Sequence, residues 1–122
     1  MPKRLSRDEV LGASDLKSED VEVPEWGGVL RLRSMTGVER DAFETSLFVE
    51  GEDGGERKLD SRNMRARLVA ATAVDEAGKT LFTKEDVEAL GRKNAAALDR
   101  LFSVAQRLSG IGPAELDKAR KS

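Results

Sequence analysis

VEVPEWGGVLRLR, residues 21–33, is where the chain leaves helical spacing for strand alternation. Val21 and Val23 alternate with Glu22, the segment PEWGG turns, and Leu30 and Leu32 alternate with Arg31 and Arg33. Two period-2 runs joined by a turn containing Pro and Gly specify a β-hairpin. Its dry face is expected to carry Val21, Val23, Leu30 and Leu32. Its wet face is expected to set Glu22 opposite Arg31 or Arg33, an opposite-charge pair across the strands. The turn also holds Trp26, the only tryptophan of the chain. An indole there either folds back over Phe43 or Leu47 to complete a small core, or meets a partner. The residues alone leave both readings open.

Around the hairpin the spacing is helical, and helix starts are marked by capping residues. Ser6 precedes Glu9, Thr36 precedes Glu39, and Thr83 precedes Asp86, each at capping-box or near-capping-box distance. These predict a short helix over 6–12, a longer one from 36 to about 49 with Val38, Ala42, Phe43, Leu47 and Phe48 as apolar positions, and a short one over KEDVEALG that Gly91 ends. GEDGGER, residues 51–57, has three glycines and four charged side chains in seven residues and reads as a flexible loop. A helix over about 59–73 follows, its apolar face widened by Val69, Ala70, Ala73 and Val74, and is expected to be the most buried. VDEAGKTLF turns at Glu76–Gly78 as a second, very small hairpin. Asn94 caps the most amphipathic helix, where Leu98, Leu101, Phe102, Ala105 and Leu108 recur at three- and four-residue spacing. Gly110 and Gly112 end it, and Pro113 opens a last short helix, 113–120. The predicted fold is a single α+β domain over 1–122, predominantly helical, with about five helices and one N-terminal β-hairpin.

Composition narrows the function. A chain of 122 residues is one ordinary domain and buries roughly two-thirds of its unfolded surface. Aromatic residues are only 4%, so the core must be built from Leu, Val and Ala, which suits packed helices. The formal charge of −2 opposes general nucleic-acid binding, which needs a basic surface to release counterions. The chain has no cysteine and no histidine, which removes disulfides, thiolate metal sites and the usual neutral-pH general base. No apolar run approaches the ~18 residues that span a bilayer. MPKRLSRDEV lacks the apolar stretch of a signal peptide. The expectation is a soluble cytoplasmic protein without catalytic residues, metal or cofactor, whose chemistry is binding.

Motifs that suggest otherwise resolve into turns. Gly78-Lys79-Thr80 ends like a phosphate-binding loop, but Ala73 stands where that loop needs its first glycine. LSGIGPAEL, residues 108–116, resembles a helix-hairpin-helix DNA motif, and is equally a glycine helix cap followed by a proline helix start. Acidic residues crowd 39–56 and basic residues crowd 57–67, a polarity expected to pair two antiparallel helices across their loop.

Order and spacing of the pieces carry a resemblance. LSRDEVLGA (5–13), VEVPEWGGVLRLR (21–33), TGVERDAFE and the residue after it (36–45), and AALDRLFSVAQRLSG (96–110) resemble the tail assembly chaperones of long-tailed bacteriophages, actinobacterial type. The resemblance implies a non-enzymatic protein that coats the helical tape-measure protein, keeps it soluble, helps recruit tail-tube protein subunits, and is absent from the finished virion. It further implies self-association, the cytoplasm of the infected host as the site of action, and a longer product made by frameshifting, of which this chain is the short form. A structural head–tail connector of the virion is the alternative. The candidate partner-binding residues are Val23, Pro24, Trp26, Leu30 and Leu32 in the hairpin, with Leu98, Leu101 and Phe102 on the long helix. No nucleic-acid or membrane partner is expected.

Overall fold

The computed structural model describes residues 2–49, 58–59 and 62–111; the expected loop 51–57 and last helix 113–120 lie outside them. Strands β1 (Ser18–Val23) and β2 (Gly28–Arg33) form the hairpin, joined by one 3-10 turn, Pro24–Trp26. Pro24 suits the first position of that turn because its ring presets φ and it has no N–H to leave unpaired. Gly27 closes the turn at φ 79°, where a side chain is disfavoured, and its N–H donates to the Pro24 carbonyl at 3.1 Å.

Val21 pairs with Leu30 and Val23 with Gly28, so the expected dry face forms: Val21, Val23 and Leu32 are buried and Leu30 is half-buried. The wet face differs from expectation. Asp20, not Glu22, lies opposite Arg31 and accepts from its Nε at 2.9 Å, while Glu22 faces Val29. Alternation identifies the faces of a strand, but the length of the turn sets which residues meet.

Helix α1 (Arg7–Gly12) precedes the hairpin and α2 (Gly37–Ser46) follows it, each opened by a complete capping box. At α2 the Thr36 hydroxyl accepts from the Glu39 N–H at 3.1 Å, and the Glu39 carboxylate accepts from the Thr36 N–H at 2.9 Å. Arg33 Nη2 donates to both Glu39 oxygens at 2.8 Å, tying the helix start to the end of β2. Burial pushes the Glu39 carboxyl up, but the Thr36 N–H, the Arg33 charge and these hydrogen bonds outweigh it and hold it below its ordinary value.

The predicted helix from 36 to 49 is too long. It ends at Ser46, and Phe48–Val49 form a short strand, β3, paired antiparallel with β4, Lys58–Leu59. The next helix, α3 (Met64–Thr72), therefore starts five residues later than helical spacing suggests. Phe and Val favour strands when a partner is at hand, and that partner is too far along the chain to register in local periodicity. Two expected apolar positions of α2 also fail to reach the core: Val38 is 81% exposed and Ala42 is exposed, whereas Phe43 and Leu47 are buried.

Helix α3 is the buried centre, as expected, with Met64, Ala66, Leu68, Val69, Ala70 and Thr72 inside. The Thr72 hydroxyl donates to the Leu68 carbonyl at 2.8 Å, which removes the cost of burying it. The chain runs directly from α3 into β5 (Ala73–Val74), which pairs with β2 and extends the hairpin into a three-stranded sheet of order β1-β2-β5. The small turn after it forms around Gly78, at φ 85°, and brings Thr80 back to Val74. Gly78-Lys79-Thr80 is thus a hairpin turn.

Thr83 caps a 3-10 turn (Lys84–Asp86) that leads into α4 (Val87–Gly91). Asn94 then caps α5 (Ala95–Ser109), its Oδ1 accepting from the Ala97 N–H at 3.0 Å. Gly110 ends α5 at φ 69° in a Schellman arrangement: its N–H donates to the Arg107 carbonyl, and the Ile111 N–H donates to that of Gln106. Ile111 is buried in the core, so its side chain turns inward while the amides of Gly110 and Ile111 serve as the cap. Leu32 of β2, Leu68 of α3 and Leu101 of α5 have no exposed surface, and these three elements contact one another pairwise.

Two ion pairs fasten the hairpin along α5. Arg100 donates to both Glu25 oxygens at 3.0 Å, and Arg107 Nη2 donates to both Glu19 oxygens at 2.9 and 3.0 Å. Residues seven apart lie on one helix face, so both guanidiniums reach the same strand and its turn. Arg65, expected to pair across the α2–α3 loop, instead meets Asp99 of α5.

Replacing Leu101 by Ala is expected to cost about 2–5 kcal/mol in urea unfolding, by lost burial plus the cavity left behind; a loss below ~1 kcal/mol would contradict its place in the core. The Arg100 hydrogen bonds hold the Glu25 carboxyl below its ordinary value. Glu25 therefore stabilises the fold fully above the ordinary carboxyl pKa, and loses that contribution as pH falls through its depressed folded value. In an acid titration followed by Trp26 fluorescence, Arg100→Gln should move the hairpin transition to higher pH. A transition at the same pH in both proteins would show that the pair does not fasten the turn.

Candidate partner-binding surfaces

The eight residues proposed from sequence divide by burial. Val23, Leu32, Leu98, Leu101 and Phe102 are all in the core, and Leu30 packs against it. Their side chains hold the fold together, which leaves Pro24 and Trp26 as the candidates a partner can touch. Apolar spacing marks these positions but does not distinguish a face that meets a partner from one that meets the protein's own core.

Trp26 is 36% exposed and stands outside the core that contains Phe43 and Leu47, so the indole does not close that cluster. The Gly27 cap and the Glu25–Arg100 pair hold the backbone on both sides of it. A tryptophan on a fixed turn loses little conformational freedom on binding, which is what makes it an effective anchor. Val29 lies two residues beyond the turn's end and is 63% exposed on the wet face, beside Glu22. Val29 occupies a wet position of the alternation, and a valine among Glu22, Asp20 and Arg31 is the sequence signal that marks it.

A second surface is the N-terminal arm. Every residue from 2 to 18 is exposed, including the whole of α1. The arm nevertheless carries Leu5 (61% exposed), Val10, Leu11 (68% exposed) and Leu16. Its caps and ion pairs join arm residues to one another: Ser6 with Glu9, Lys3 with Glu9, Arg7 with Asp8. It meets the body at Lys17. There the buried Ser34 hydroxyl accepts from the Lys17 N–H at 3.0 Å and donates to the Lys17 carbonyl at 3.1 Å, and the Ser34 N–H donates to that carbonyl at 2.8 Å.

A third is an open groove of about 570 Å³ between α2, α3 and the segment entering α4. Its apolar lining is Ala42, Phe43, Ala70, Ala71, Phe82 and Val87, and Glu39, Arg67 and Lys84 are its charged lining. Among the described residues no cluster of carboxylates could hold a metal ion, and no helix is long and apolar enough to cross a membrane.

Comparison with known proteins bears on what such surfaces serve. A sequence model described as phage tail assembly chaperone matches residues 11–121. No functionally curated protein matches the chain. Among solved structures, the fold is similar to that reported as the structure of bacteriophage HK97 tail assembly chaperone. The TM-score is 0.56 with 18% sequence identity, covering 86% of this chain and 94% of that one. At this identity the likeness is one of fold, while the family match spans nearly the whole sequence. The chain belongs to the phage tail assembly chaperone family.

Proposed function

We propose that the protein coats the tape-measure protein of its phage before the tail tube polymerises, keeps that client soluble, and helps recruit tail-tube subunits. In this reading it acts in the cytoplasm of the infected bacterium, associates with copies of itself along the client, and is absent from the finished virion. Trp26 is the observation that carries the client-binding step. In a chain with one tryptophan, that residue is exposed on a turn fastened from two sides instead of spent in the core.

The proposed contact is between the apolar tip formed by Pro24, Trp26 and Val29 and apolar positions of a helical client. Glu22 and the Asp20–Arg31 pair border the tip with charge and keep the free chaperone from aggregating through it. A chaperone of this kind has to release its client when tube subunits arrive. A small apolar anchor within a charged rim suits reversible contact repeated along a filament better than one large buried interface.

Co-expression with the tape-measure protein tests this directly. The client is expected to be insoluble alone and soluble in a complex captured through a tag on the chaperone. Trp26→Ala should weaken capture roughly thirtyfold, the size of an interface hot spot of about 2 kcal/mol, while leaving the melting temperature within a few degrees. A collapse in stability would return Trp26 to a structural role. Failure of the wild-type chain to capture or solubilise the client would contradict the proposal, as would its presence at full stoichiometry in purified particles.

A further inference from the structure

We infer that Arg100 is a positioning residue for the client-binding tip: its guanidinium, carried on α5, clamps the turn that bears Trp26 and so sets how tightly the client is held. The inference rests on the function proposed above for the part that concerns the client, and on the turn itself for the rest.

Trp26 depends on its backbone for support. It belongs neither to the buried cluster nor to the partly buried residues packed against that cluster. Gly27 and Gly28 follow it directly, and glycine leaves the chain its widest choice of conformation. The bond inside the turn, from the Gly27 N–H to the Pro24 carbonyl, shapes the turn without tying it to the rest of the protein. A tip built this way can swing on its glycines unless a group outside the hairpin holds it.

Arg100 is such a group. Its Nη1 donates to Glu25 Oε1 and its Nη2 to Glu25 Oε2, both at 3.0 Å, and Nη1 also donates to the Glu22 carbonyl at 3.4 Å. One planar group thereby grips the chain on β1 ahead of Pro24 and again at the residue next to Trp26. Two bonds to one carboxylate fix direction as well as distance, which a point charge would not do. The helix beneath is firm: Ala97 and Leu101, one turn before Arg100 and directly after it, have no exposed surface. Arg107 grips Glu19 near the other end of β1 and leaves the turn to Arg100.

The consequence falls on binding more than on folding. An ion pair as exposed as this one adds little to stability. A tip that is already ordered meets the client without further loss of freedom, whereas a loose tip must be ordered at each contact, which weakens the complex.

Trp26 is the only tryptophan, so its fluorescence reports the tip alone. In time-resolved anisotropy of the free protein, Arg100→Gln and Glu25→Gln break the clamp from either side. Each should add a fast rotation of the indole that the wild type lacks, and equal motion in all three proteins overturns the clamp. Client affinity is read by competition: wild type and variant, with different tags, are co-expressed with the tape-measure protein, and the captured ratio is measured. Wild type should exceed Arg100→Gln roughly fivefold, the effect of ordering one side chain on binding. With Trp26→Ala in both competitors, the same substitution should change the ratio by less than about twofold, because nothing is left to position. Equal capture in the first comparison overturns the positioning role. So does an undiminished loss without Trp26, which would mean that Arg100 touches the client itself or acts through overall stability. If the wild type captures no client, the function proposed above fails together with the affinity part of this inference, and the anisotropy still decides whether Arg100 holds the turn.

Discussion

The structure depends on one three-way burial: Leu32 from the hairpin, Leu68 from α3 and Leu101 from α5, none with any surface left to solvent. In a chain with 4% aromatic residues, Phe43 and Phe102 are the only rings among the buried residues of that core, so close packing of Leu, Val and Ala has to supply most of the cohesion. The other buried residues of the core, among them Val23, Val69, Ala97 and Ala105, surround these three. The hairpin lies on α5 through its dry face and is kept from sliding by Arg100 and Arg107 at the two ends of β1. Ion pairs this exposed contribute little to overall stability. Their role is geometric: they fix where the tip points.

That division of labour accounts for the position of the tryptophan. The core is complete without it, and the turn that carries it is stiffened by Pro24, the left-handed Gly27 and the Glu25–Arg100 pair. An assembly chaperone must hold its client without holding it permanently. On the function proposed above, concentrating contact in a small rigid anchor with charge around it would keep the complex reversible.

Much of this was readable from local residue patterns. Ser6, Thr36, Thr83 and Asn94 each start the element their spacing announced, Gly110 ends α5, and the dry face of the hairpin is the one its alternation describes. These features are set by residues within four or five positions of one another. What local pattern did not show depends on distant partners. The β3–β4 ladder cut α2 short, β5 joined the sheet, and Arg100 found Glu25 across 75 positions of sequence. The same limit explains the candidate site. Leu98, Leu101 and Phe102 were correctly found as one apolar face, but only the packing of α5 against α3 and the sheet shows that the protein itself covers it. Helix α1 is likewise placed by its capping box, but that every residue of it stays exposed could be seen only in three dimensions.

The central claim is that the fastened hairpin tip is where the client is held. Hydrogen–deuterium exchange on the chaperone, free and in complex with the tape-measure protein, tests it most directly. The account predicts slowed exchange at the amides of residues 25–29 on binding, with the buried helices α3 and α5 unchanged. Protection confined to other elements, with the tip exchanging as fast in the complex as in the free protein, would contradict it.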